Sequence, residues 1–335
     1  MERDGVSTCV YGAAVLAALG ALCVGLEMPA VLRCFAALGL LAASAALYLA
    51  LHRVAFQSCA LKELALAVPN LPPHLAGMRV AVLSDLHTNR AHSKVSSRIF
   101  AQALAYVADA RPDVVFLLGD IVDSAHRDVE QLDAFLTQLA AHGPVLAVYG
   151  NHDYLDGDPA SMTPFLQSRG VTVLQNGTCA HLGDALDVIG LDDMEQITAN
   201  TSVLATYFAT RAAERPVFVL THNPELACTA LQHPVDAVFA GHTHGGQLCT
   251  PWGVPILALL APFRRLFWWS RVTQCRIDTI QRSRYVSGLY TGQGPSRSAS
   301  VLVTRGLGCH WGLRVCCEAE VHIVTLQPTA PHPSP

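Results

Sequence analysis

The chain has 335 residues, a net charge of −4 and a pI of about 6.4. That balance offers no basic footprint for nucleic acid, which is excluded as an expected partner. Only 14% of residues are charged and the mean hydropathy is +0.34, against roughly 25% charged residues in an average soluble protein, so membrane segments are expected.

The chain opens with two uncharged runs, Gly5 to Leu26 (22 residues) and Cys34 to Leu51 (18 residues). A spanning helix needs roughly 17–25 apolar residues. Residues 1–53 therefore read as a two-helix hairpin in a lipid bilayer. A cleaved signal peptide is the competing reading of the first run, but Met1 to Asp4 holds one arginine against two acids, which suits a signal poorly. Arg3, Arg53 and Lys62 would flank one side and Arg33 the connecting loop, which leans the rest of the chain toward the cytoplasm. The triplets Asn176-Gly-Thr178 and Asn200-Thr-Ser202 have the form of glycosylation sites and lean the other way. Residues 54–77 read as a linker.

From Met78 onward, short Val- and Leu-rich runs alternate with helical stretches. Strands are expected at 78–85, 113–120, 145–153, 171–176, 185–193, 217–223 and 236–244. Helices are expected from Ser93 to Ala110, stopping before Arg111-Pro112, and from Asp128 to Ala141. This alternation predicts an α/β layered domain over 78–327. The runs at 284–292, 299–306 and 319–327 have no helix between them, so the sheet should gain antiparallel members. The Pro-rich end, 328–335, reads as a disordered tail. Eleven cysteines without a CxxC pair give neither a disulfide framework nor a zinc ribbon, and small buried hydrophobes explain them better.

Polar residues of metal-ligand type follow the strands. Asp85 and His87 follow the first, Asp120 the second, and Asn151, His152 and Asp153 the third. His222 follows VFVLT, and His242 and His244 follow VFA. In open α/β sheets, functional residues gather at the carboxyl ends of strands. Each residue alone could be a turn or an N-cap; five strand ends carrying Asp, His or Asn together are not explained that way. The set mixes carboxylate, imidazole and one carboxamide without thiolate, which suits Mn, Fe or Zn. It holds too many donors for one ion, and two ions about 3.5–4 Å apart would use them.

In order, Asp85-Leu-His87, Gly119-Asp120, Gly150 to Asp153, His222 and Gly241 to His244 resemble the motif set of the calcineurin-like metallophosphoesterases, over 78–327. The extension GHTHGGQ and the late segment Ser283 to Gly308 are similar to one branch, the membrane-associated bacterial phosphoesterases and animal transmembrane proteins with this domain. The resemblance implies a four-layer α/β/β/α sandwich. It implies that one divalent ion takes Asp85, His87 and His244, that a second takes Asn151, His222 and His242, and that Asp120 bridges both. It implies phosphoric ester hydrolysis by a metal-bridging hydroxide, of a diester or pyrophosphate before a monoester. His152 would be the general acid, with Asp153 orienting its ring.

Two stretches depart from that pattern. In GDIVDSAHR, Ser124 stands where protein Ser/Thr phosphatases carry arginine, which weighs against a phosphoprotein substrate of their type. Arg314 to Glu320 reads RVCCEAE where the branch usually places a proline-containing stretch. Finally, Phe263, Arg264, Arg265, Phe267, Trp268 and Trp269 mix aromatics with arginines as membrane-interface segments do. They are candidate lipid contacts, with a core helix as the rival reading, and a lipid-linked phosphate ester is the matching substrate. A catalytically idle membrane scaffold and a metal-dependent nuclease are the alternatives. The intact ligand set argues against the first, and the lack of basic surplus against the second.

Overall fold

The computed structural model describes residues 38–43, 46, 58–88, 95–123, 129–155, 159–180, 185–196, 198–211, 215–260, 262, 283–295, 297–309 and 314–329. Most of the expected membrane hairpin and the aromatic stretch at 263–269 lie outside them. Among the described residues, no helix is long and apolar enough to cross a membrane.

In chain order the elements are β1 (Cys59–Val68), β2 (Arg79–Leu83), α1 (Ser97–Ala110), β3 (Val114–Leu118), α2 (Val129–Ala140), β4 (Val145–Val148), α3 (Thr163–Ser168) and β5 (Val171–Val173). There follow β6 (Gly177–Ala180), β7 (Asp187–Gly190), α4 (Ser202–Thr210), β8 (Val217–Leu220), α5 (Leu226–Ala230), β9 (Ala237–Ala240), α6 (Ile256–Leu260), β10 (Gly288–Gln293), β11 (Ser298–Val303) and β12 (Ala319–Pro328). They build two six-stranded sheets, ordered β1-β12-β2-β3-β4-β5 and β10-β11-β9-β8-β7-β6. The expected antiparallel members are present: β12 runs against β2, and β10 against β11.

The runs RVAVL, VVFLL and VLAV are apolar on both faces because both are covered. Val80, Val82, Phe116, Leu146 and Val148 face the second sheet, where they meet Val188, Phe218, Leu220 and Phe239. Phe116 and Phe239 pack edge to face at 5.2 Å between ring centroids. Ala81, Leu83, Val115 and Leu117 face outward onto Ile99, Val107, Phe135 and Leu139 of α1 and α2. On the far side, Ile189, Val219 and Val238 lie under Leu204, Leu226 and Ala230 of α4 and α5. Four layers result, helix on sheet on sheet on helix. The start of α1 is fixed by Ser96, whose hydroxyl accepts from the Ile99 N–H at 3.2 Å. Its end is the left-handed Arg111 before Pro112.

The segment expected as a linker contains β1, which pairs in parallel with all of β12. The alternation at its end carries the signal: Leu66 and Val68 are buried while Ala65 and Ala67 face water. Likewise Pro328, placed with the tail by composition, closes β12, and the Thr329 N–H donates to the Val68 carbonyl.

Candidate metal centre

The parallel strands β2, β3, β4, β8 and β9 deliver their carboxyl ends to one crevice. To aim side chains into it, the chain turns sharply as each strand stops. Asp85, His87, Asp120, His242 and His244 have φ of 55°, 46°, 51°, 73° and 50°. Left-handed backbone at a residue with a side chain costs on the order of 1–3 kcal/mol and persists only where the surroundings enforce it. Five of the seven expected ligands adopt it, which marks the crevice as built for function and not as a set of ordinary turns. The enforcing bonds run between strand ends: Asp85 N–H to Gly119 carbonyl at 3.0 Å, His87 N–H to Asp120 carbonyl at 2.9 Å, Gly241 N–H to His222 carbonyl at 3.0 Å.

The expected ligands come together in two groups. In the first, His87 Nε2 lies 3.2 Å from His244 Nε2, and Asp85 Oδ1 lies 3.5 Å from His244 Nε2 and 3.9 Å from His87 Nε2. In the second, His242 Nδ1 lies 3.1 Å from both His222 Nε2 and Asn151 Oδ1. Asp120 Oδ2 joins the groups, 3.4 Å from His87 Nε2 and 3.2 Å from His222 Nε2.

Hydrogen bonds behind the rings decide what these atoms are. His222 donates its Nδ1–H to the Leu118 carbonyl at 2.7 Å, and His244 donates its Nδ1–H to the Gly308 carbonyl at 3.1 Å. Both rings thereby turn Nε2 inward, the atom that becomes a lone pair for a cation when the ring is neutral. Asp85 Oδ1 is fully buried with no hydrogen-bond donor. Lone pairs converging on lone pairs and carboxylates in a buried space call for cations, so the residues fit two divalent ions. Burial pushes the His87 imidazole down, toward the neutral form a metal requires. Burial opposes charge on Asp120 and His222 alike. Their mutual attraction prevails, holding the carboxyl well below its usual range and the imidazole well above.

His152 sits at the rim, its side chain 17% exposed, with its ring edge-on to His87 at 4.7 Å. Its backbone N–H donates to Asp120 Oδ1 at 2.8 Å. The carboxylate on its ring is not Asp153, as expected, but Asp123, whose Oδ1 lies 2.5 Å from His152 Nδ1. Asp153 is committed elsewhere: its two oxygens accept the Gly150 and Val122 N–H groups at 2.8 and 3.0 Å. The short helical turn Asn151–Tyr154 folds that side chain back on its own entry.

Two further residues escaped the sequence reading. Glu195 places Oε1 3.4 Å from His242 Nε2, on the side of the ring away from the other ligands. Arg314, 4% exposed, spreads its guanidinium over backbone carbonyls of the metal loops: Arg305 at 2.7 Å, Gly306 at 3.2 Å, His244 at 3.4 Å, Cys317 at 3.3 Å, and Gly308. The Gly308 carbonyl is the one that holds the His244 ring. Arg314→Lys keeps the charge but loses the fork. It is expected to weaken metal binding about 10–100-fold in a calorimetric titration, as loss of outer ligand support does. Unchanged affinity would reduce Arg314 to packing.

The glycine of GHTH has a steric reason. A Cβ on Gly241 would overlap Ser84 Oγ and stand 2.8 Å from Asp85 Oδ2. Gly241→Ala should therefore lower unfolding stability by about 1–3 kcal/mol in denaturant melts, the cost of overpacking, and displace Asp85.

Comparison with known proteins agrees with this geometry. Residues 78–246 match the family model described as calcineurin-like phosphoesterase. A Danio rerio transmembrane protein with metallophosphoesterase domain is 31% identical over 60% of this chain, which spans 47% of that relative's length. The phosphodiesterase YaeI of Escherichia coli is 29% identical, with 75% of this chain and 83% of that protein covered. The UDP-2,3-diacylglucosamine pyrophosphatase LpxG of Chlamydia trachomatis is 26% identical, with 75% and 85% covered. With the family match running from the start of β2 through the last metal-centre histidine, the chain belongs to the calcineurin-like phosphoesterases, a family of metal-dependent hydrolases of phosphoric esters.

Proposed function

We propose that this chain is a membrane-anchored hydrolase of phosphodiesters or pyrophosphates, acting on a lipid-linked or small phosphate ester. The observation that carries the reading is the position of Asp120, within 3.4 Å of one imidazole from each ligand group. Two divalent ions held there, by Asp85, His87 and His244 and by Asn151, His222 and His242 with Asp120 shared, would acidify a water and offset charge on the phosphoryl oxygens. The chain's own residues do the rest. His152, at the rim of the crevice with its side chain 17% exposed, would hold a proton for the leaving oxygen. Asp123 binds its Nδ1 side and turns Nε2 toward the substrate. No side chain needs to form a covalent phosphoenzyme.

The names of the Escherichia coli and Chlamydia trachomatis relatives, a phosphodiesterase and a pyrophosphatase, support this order of substrates. The uncharged runs at 5–26 and 34–51 support the anchor. The test is hydrolysis by the full chain in detergent with Mn²⁺, comparing a chromogenic phosphodiester with its monoester. A diester preference that vanishes in Asp120→Ala supports the proposal. A monoester preference turns it to a phosphomonoesterase. Two bound metals without turnover of either ester would point to a narrow or lipid-requiring substrate, and neither turnover nor bound metal would leave an idle scaffold.

A further inference from the structure

The topology says which end of the domain meets the anchor. β12 runs against β2 with His322 opposite Val82. Both β12 and its parallel partner β1 therefore begin at the end where β2 stops and Asp85 follows, and Ala319, the first residue of β12, is the partner of Cys59, the first residue of β1. The segment 306–308 lies between β12 and Asp85, its Gly306 carbonyl taking the Glu320 N–H and its Gly308 N–H donating to the Asp85 carbonyl, so Cys59 is about three strand spacings, roughly 15 Å, from the backbone of a metal-centre residue. The second uncharged run ends at Leu51. The seven residues 52–58 between that run and β1 can reach at most about 25 Å. A bilayer holding that run lies close to the catalytic end, not the opposite one.

The exposed apolar side chains are at that end too. Beyond the N-terminal run, seven large apolar residues are exposed among those described, and five of them lie on the loops that carry metal-centre residues or on the hairpin and helix that leave those loops. Leu155 (55% exposed) follows His152, and Met194 (40%) precedes Glu195. Trp252 (86%), Val254 (42%) and Leu259 (54%) lie on the hairpin and short helix that leave the GHTHGG turn. That hairpin is tied to the turn. Cys249 bridges Pro255, the Thr250 N–H donates to the Val254 carbonyl at 2.9 Å, and Pro255 fills the space a Cβ on Gly246 would need. Trp252 is left 86% exposed at a tight tip, the most exposed large apolar side chain among the described residues. An apolar patch rimmed by polar residues marks an interaction site, and Trp suits the lipid–water interface.

We infer that the rim of the metal crevice is a bilayer-facing surface. Leu155, Met194, Trp252, Val254 and Leu259 enter the lipid interface, and the crevice takes phosphate esters presented at headgroup level. The inference rests on the membrane-anchored reading above and deepens it.

The test uses the full chain in phosphatidylcholine–phosphatidylglycerol nanodiscs, with the photocrosslinker p-benzoylphenylalanine placed singly at position 252, 155, 141 or 16. Position 141 is exposed beyond α2, at the far end of the strands. Position 16 lies in the first uncharged run. Lipid adducts at 252, 155 and 16, absent at 141, are the expected result. Adducts at 16 alone would leave the anchor standing and overturn the bilayer-facing rim. Adducts at none would overturn the anchor and the rim together. Protein–protein adducts at 252 in place of lipid would make the patch a contact between copies and also overturn it.

Discussion

Asp120→Asn should reduce diester turnover by about a thousandfold while leaving the fold in place. The substitution changes no volume, so the core around residue 120, 1% exposed, is not repacked. What is lost is charge. Asp120 stands between His87 and His222 and also accepts the His152 N–H. A carboxamide offers a weaker acceptor, and its NH₂ group puts hydrogens where the site needs a negative oxygen. Metal-supplied charge stabilisation is worth several kcal/mol. Losing about 4 of them slows the reaction about a thousandfold at 1.4 kcal/mol per tenfold. Steady-state kinetics and a calorimetric Mn²⁺ titration should move together: slower turnover, and weaker binding at both sites because each keeps only its own three donors. Full activity in the variant would remove Asp120 from its bridging position and with it the dimetal reading.

Much of the site was legible in the sequence because strand ends are legible. Buried parallel strands read as short Val/Leu runs, and a polar residue right after such a run has little choice but to face the crevice. That logic picked out seven residues that the structure brings together in one crevice, without knowledge of the loops between them. It failed where a side chain's direction depends on loop conformation. Asp123 and Asp153 are both carboxylates near His152 in the folded chain, and adjacency in sequence favoured Asp153. The turn at Asn151–Tyr154 reverses this. A carboxylate three residues into such a turn reaches its own entry amide, while Asp123 is brought over by the Thr88–Asp123 backbone bond at 3.2 Å. The spacing Gly119-Asp120 to Asp123 is visible in the sequence, but nothing in it says which way the Asp123 side chain turns. Arg314 escaped because its acceptors are backbone carbonyls from three separate segments, which leave no mark on composition. β1 escaped because a single strand ahead of the motif-bearing region looks like a linker until its partner, 260 residues later, is known.

The two acids can be told apart by leaving group. A general acid contributes about 10²–10⁴-fold, but only where the departing oxygen needs a proton. His152→Asn should therefore slow a simple alkyl diester by that range and an activated aryl diester far less. Asp123→Asn should show the same leaving-group pattern at smaller amplitude, since the imidazole remains and only its orientation and partner charge are lost. Asp153→Ala should behave differently. It strands the buried Gly150 and Val122 amides, at about 1–3 kcal/mol each, so its melting temperature should drop while the ratio of aryl to alkyl rates stays near that of the parent. Measuring both esters across the three variants, with thermal melts alongside, separates proton delivery from loop support. Were Asp153→Ala to carry the leaving-group signature and Asp123→Asn to lack it, the order of the two carboxylates at the His152 ring would have to be exchanged, and the 2.5 Å Asp123–His152 contact would be incidental to catalysis.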